Sequence, residues 1–140
     1  MSTYISTRWY RSPEMLLKDK YYSFPADIWA ISAVMAELYL LEPLFQGKNN
    51  VDQLLRICTL FGNPNEENWA DGLKLAEEAH FNFPGSEVES LDSFSRLRER
   101  IPEACESGLQ LMCDMFLFDP KKRVSAALAL DYPYFDITFL

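Results

Sequence analysis

FPADIWAISAVMAELYLL, residues 24–41, is the stretch whose reading decides the fold. Drawn as a helix, it carries apolar side chains on every face: Ile28, Trp29, Ile31, Val34, Met35, Leu38, Tyr39, Leu40 and Leu41. An ordinary surface helix has one apolar stripe, whereas a helix apolar all round packs on all sides. Asp27 and Glu37 bound an uncharged run too short to span a bilayer. Pro25 suits a first helical turn, and Pro43 forbids continuation much past Leu41. The stretch reads as a buried central helix with the other segments packed around it.

The totals fit that picture. With 49% hydrophobic residues in 140, the chain can build the core of one globular domain, or of a large piece of one. A net charge of −8 argues against a nucleic-acid or anionic-membrane surface. Cys58, Cys105 and Cys113 are odd in number and lack C-x-x-C spacing, so they are expected as reduced core thiols of an intracellular protein. His80 stands alone, which leaves no His-based metal site. Residues 1–11 are polar and aromatic rather than basic then apolar, so no signal peptide is expected there.

Outward from the central helix, the expected elements are all helical. Pro13 opens a short helix through Leu17. Asn50 precedes a helix over 51–61, with Gln53 as the reciprocal partner of a capping box, and Gly62 stops it. Its apolar positions are Val51, Leu54, Leu55, Cys58 and Leu60. Residues 63–101 are looser, punctuated by Pro64, Pro84 and Gly85, with helices at about 69–79 and 93–98. Further helices follow at about 103–117, broken by Asp119-Pro120, and from Ser125 through Leu130. No strand is expected, and the fold class is mainly α.

Three ordered landmarks then carry a resemblance: STRWYRSPE at 6–14, Asp27-Ile28-Trp29, and Asp119-Pro120-Lys121-Lys122-Arg123. Together they resemble the last part of a eukaryotic protein kinase domain, over nearly the whole chain. T-R-W-Y-R followed by P-E is similar to the CMGC group, which includes the MAP kinases and cyclin-dependent kinases. The run MAELYLLEPLFQG resembles the male-germ-cell-associated and ciliogenesis-associated serine/threonine kinases. The resemblance implies a partial kinase domain over 1–140, containing the end of the activation loop and the helical C-lobe. It also implies a CMGC-type insert at 63–101, used in that group for docking partners.

The same resemblance implies the site residues. Ser2-Thr3-Tyr4 aligns with the T-x-Y motif of MAP-kinase-like enzymes, making Ser2 and Tyr4 the phosphorylation sites. A phosphate there adds negative charge and strong acceptors that Arg8 and Arg11 are near enough in sequence to clamp. Thr7 matches the threonine that shapes the substrate pocket, and Arg8, Trp9, Tyr10 and Arg11 its wall for the residue after the phosphoacceptor, often proline. Glu14 and Arg123 match an ion pair that ties the activation segment to the last helices. Asp27 matches a residue that holds the backbone of the catalytic loop. Ser12 stands where the family usually has alanine.

The kinase signature also includes a Gly-rich loop, a strand lysine, H-R-D with its asparagine, and D-F-G. None of these strings occurs in the sequence. The chain is therefore expected to hold no catalytic, cofactor-binding or metal-binding residue of its own, ATP and magnesium belonging to the complete kinase. Its expected partners are protein substrates and an upstream activating kinase, with no nucleic acid or membrane. Its expected place is the cytoplasm, with nucleus or cilium implied as further family locations. The competing readings are an inert, kinase-derived protein-binding module and an incomplete gene model. Without the helix that precedes the catalytic loop in the family, Ile28, Ile31, Met35 or their neighbours are expected to form an exposed apolar patch.

Overall fold

Trp29 loses all of its solvent exposure in the computed structural model, which describes residues 8–84 and 92–136. The elements in order are α1 (Pro13–Leu16), α2 (Phe24–Leu40), α3 (Asn50–Phe61), α4 (Glu66–Glu78), α5 (Ser93–Arg100), α6 (Glu106–Met115), α7 (Ala126–Ala129) and a 3-10 turn at Pro133–Phe135. No strand occurs among the described residues. None of their helices is long and apolar enough to cross a membrane.

The central helix is α2. Pro25 sits in its first turn, and Leu41 ends it in a left-handed conformation (φ 61°), its N–H donating to the Glu37 carbonyl at 2.7 Å. Its core face is Ala26, Ile28, Trp29, Ser32, Ala33 and Ala36. The small residues let α6 come close enough for Ser32 Oγ to donate to the Met112 carbonyl at 3.3 Å. Around the Trp29 ring lie Phe45, Phe61 and Phe116, the last edge-on at 4.9 Å between centroids. Such aromatic pairs add to the gain from area burial alone.

Burial of α2 is one-sided, which corrects the expectation of packing all round. Ile31, Val34 and Leu38 are exposed, while Ile28 is covered by Leu111, Met115 and Ala129. Met35 is half-buried against the same cluster. The apolar patch is thus real but excludes Ile28 and is carried by Ile31, Val34 and Leu38.

The helix after Gly47 begins differently from the sequence reading. Asn49 is the cap, its side chain accepting from the Asp52 N–H at 2.8 Å. Gln53 faces inward, so it cannot close a capping box. The buried face of α3 is Gln53, Leu54, Ile57 and Cys58, with Val51 exposed.

Residues 63–101 are less loose than their prolines suggest. Asn65 and Asn68 form a capping box at the start of α4, and the chain leaves helical geometry at Trp69 (φ −168°, ψ 73°). This turns Trp69 fully into the core, parallel to Phe118 at 6.2 Å. Asp92 caps α5 by accepting from the Ser95 N–H at 2.7 Å, which holds its carboxyl below the usual range. Cys58 and Cys113 are buried thiols pushed up to about 12 by that burial. Cys105 is exposed, just ahead of α6, and is not a core thiol.

Gly72 lies against Trp69, where an added Cβ would fall 2.1 Å from ring carbons. Alanine's helix propensity favours Gly72→Ala by about 1 kcal/mol, but overpacking costs about 1–3 kcal/mol and the large ring has no free side to move to. Gly72→Ala is expected to lower the urea midpoint. Gly108→Ala, whose Cβ would lie 3.1 Å from Tyr39 Oη and 3.3 Å from Cys105 Sγ and a Tyr134 ring carbon, should lower it less.

Candidate functional site

Two anchors hold the segment at residues 8–14. The first is the Glu14–Arg123 pair, bridging 109 residues of sequence. Arg123 Nη1 donates to Glu14 Oε2 at 2.6 Å and Nη2 to Glu14 Oε1 at 2.7 Å, a bidentate fork with both side chains buried. Such forks are stronger and more directional than neutral hydrogen bonds. The remaining donors are also used: Nε to the Leu117 carbonyl at 2.7 Å, Nη1 to Pro25 at 3.0 Å and Nη2 to Phe118 at 3.1 Å. The guanidinium carbon lies 5.1 Å from the Trp29 ring centroid.

The second anchor is Gln53, wholly buried on α3. Its Nε2 donates to the Trp9 carbonyl at 3.2 Å, and its Oε1 accepts from the Gly47 N–H at 2.7 Å. One amide thereby joins the 8–11 loop to the turn before α3. The approach is so close that a Cβ at Gly47 would lie 2.5 Å from the Gln53 Cα. The loop's side chains reach the same turn: Trp9 Nε1 donates to the Gly47 carbonyl at 3.0 Å and Arg8 Nη1 to the Lys48 carbonyl at 2.9 Å. Arg11 Nη1 donates to Asn50 Oδ1 at 3.3 Å. Tyr10 donates its phenolic hydrogen to the Glu37 carboxylate on α2, and desolvation, then that bond, pushes its hydroxyl up to about 12.

Arg8, Trp9, Tyr10 and Arg11 are thus gathered on one ledge made by α2, α3 and the turn between them. Ser2, Tyr4 and Thr7 lie outside the described residues. Asp27 sits exposed in the first turn of α2, and its carboxylate makes no hydrogen bond or ion pair among the described residues. No group of three or more His, Cys, Asp and Glu side chains is gathered to hold a metal ion among those residues. Sequence reasoning missed Gly47, Gln53 and Glu37. The available signal was a glutamine next to Leu54, on the face of α3 that it shares with Leu54 and Ile57.

Ser12 is fully buried at the entrance to α1, and its Oγ has no hydrogen-bond partner among the described residues. An unmet buried hydroxyl costs about 1–3 kcal/mol. Ser12→Ala is expected to raise stability by about 1 kcal/mol in chemical denaturation. Glu14→Gln and Arg123→Lys should each lower it by about 3–5 kcal/mol, because each strands a buried partner.

Comparison with known proteins adds family evidence. The protein kinase domain model matches residues 1–135. A "probable serine/threonine-protein kinase" of Dictyostelium discoideum is 45% identical over 135 residues, covering 96% of this chain and 26% of that protein. The serine/threonine-protein kinase MAK of Homo sapiens is 44% identical over 134 residues, covering 96% of this chain and 20% of MAK. The serine/threonine-protein kinase ICK of Mus musculus is 42% identical over 134 residues, with the same 96% and 20% shares. The chain spans about a quarter or less of the length of these curated relatives.

Proposed function

We propose, for a chain that belongs to the protein kinase family and to its CMGC group of serine/threonine kinases, that it supplies the substrate-binding and regulatory half of such an enzyme. In this reading residues 1–14 are the end of the activation loop, α1 to α7 are the helical C-lobe, and 63–101 is the group's insert. The complete enzyme transfers a phosphoryl group from ATP, with magnesium, to serine or threonine in proteins. The observation that carries the reading is the buried, five-donor Arg123 site on Glu14, which fixes the end of the 8–14 segment against the helices.

The family uses ATP and magnesium, and the residues of this chain do not fit either. No Gly-rich loop, H-R-D or D-F-G occurs in it, and no metal-ligating cluster forms among the described residues. No step of the transfer is therefore assigned to its side chains. What they do is hold a surface. Gln53, Gly47 and Glu37 fix the loop, and Trp9 and Tyr10 form a wall whose outer side receives the residue after the phosphoacceptor, proline being the residue that suits it. Phosphate on Tyr4, and on Ser2, would give Arg8 and Arg11 anionic acceptors in place of the neutral oxygens of Lys48 and Asn50.

The test is a chimera in which residues 1–140 replace the matching part of human MAK. Magnesium-dependent phosphorylation of a generic protein substrate is expected, and a folded but inert chimera overturns the reading. The 140-residue chain alone should transfer no phosphate. Within the chimera, Tyr4→Phe and Arg11→Ala should each reduce kcat/KM, and the double variant should be no worse than the weaker single. Additive losses would mean that the two residues act independently and that the phosphotyrosine clamp is wrong.

A further inference from the structure

A groove of about 310 Å³ opens between the turn after α2, the second half of α3 and the end of α5. Leu44, Phe45 and Leu60 line it, so its floor is apolar. Arg56 from α3 and Arg100 from α5 also line it, with Thr59, and no carboxylate does. That composition stands out in a chain with 13 basic and 21 acidic residues. The grooves along α4 and beside Lys122 mix carboxylates with their cations. Each of the two guanidinium groups is held at one point only. Arg56 Nε meets Asp52 at 3.0 Å and Arg100 Nη2 meets Glu42 at 3.5 Å, both pairs partly exposed. Exposed pairs of this kind hold weakly. The remaining N–H groups of both arginines have no other acceptor among the described residues.

We propose that this groove docks an acidic peptide segment of a partner protein. One apolar side chain of the segment enters between the arginines, and carboxylates on either side of it meet Arg56 and Arg100. Charge chooses the occupant, because an apolar residue flanked by acids is the complement of two cations over an apolar floor. A guanidinium presents two parallel N–H groups to a carboxylate, so each arginine exchanges a single-point contact for a bidentate one. Arginine beside aromatic groups is also a composition that protein interfaces favour. The walls are in place before a ligand arrives. Arg96 Nη1 donates to the Leu60 carbonyl at 3.4 Å, tying α5 to α3, and Leu97 of α5 is fully buried. A surface set in advance loses less freedom on binding. Residues 8–11, Gly47, Gln53 and Glu37 take no part in the lining, so the inference goes beyond the kinase reading and stands without it.

The experiment is fluorescence anisotropy of the labelled peptide Gly-Ser-Glu-Asp-Phe-Asp-Glu-Ser-Gly against the 140-residue chain, with melting curves to verify folding. Saturable binding is expected, and added salt should weaken it by screening the charges. Replacing the peptide's phenylalanine with serine, or its four acids with lysine, should weaken it at least about tenfold. Arg56→Glu and Arg100→Glu, both at partly exposed side chains, should each weaken it at least about fivefold. Lys74→Glu makes the same change in net charge at an exposed position on α4 and should leave binding unchanged. No saturable binding by the parent chain would overturn the proposal. So would equal binding of the lysine peptide, indifference to both arginine variants, or an equal loss with Lys74→Glu. Self-association of the chain that Arg100→Glu abolishes would assign the groove to a second copy and overturn it too.

Discussion

A buried guanidinium is tolerable only when its positive charge and all five N–H donors are met at once. Arg123 satisfies that demand from four residues: Glu14 in α1, Pro25 in the first turn of α2, and Leu117 and Phe118 after α6. The Trp29 ring lies under the guanidinium, adding an attraction between cation and ring face. These segments cannot move independently, because a shift in any of them leaves a charged donor without an acceptor in a dry site. The aromatic cluster of Trp29, Phe45, Phe61 and Phe116 supplies non-directional burial. Arg123 supplies the direction, and the helices take their mutual orientation from it.

Gln53 does for the 8–11 loop what Arg123 does for the segment after it. Both are long side chains whose polar groups are matched to main-chain partners far off in sequence. Between them the loop is fixed at both ends, with Tyr10 tied to Glu37 in the middle. A loop held in this way needs no regular hydrogen-bond ladder to keep one conformation.

The local features were legible in the sequence because local rules govern them. Pro25 at a helix start, Gly62 at a helix stop and Ser125 as a cap are each decided within a few residues. The face of α3 was less legible. The sequence pattern favours Val51 and Leu55 and passes over Ile57, and only the tertiary position of Trp9 and Gly47 turns Gln53 inward. The one-sided burial of α2 could not be read either, since composition records which residues are apolar and not how many neighbours are present to cover them. The kink at Trp69 follows from the same limit, because the Phe118 ring that receives Trp69 is 49 residues away. The Glu14–Arg123 pair was reached through family resemblance rather than spacing, as no periodicity links positions so distant.

The attachment of the 8–11 loop consists largely of bonds to main-chain atoms: the Trp9 carbonyl, the Gly47 N–H and carbonyl, and the Lys48 carbonyl. A carbonyl is indifferent to the side chain beside it. Lys48 can therefore change freely over evolutionary time without loosening the loop, while Gly47 cannot. The ledge has a fixed frame with an interchangeable surface.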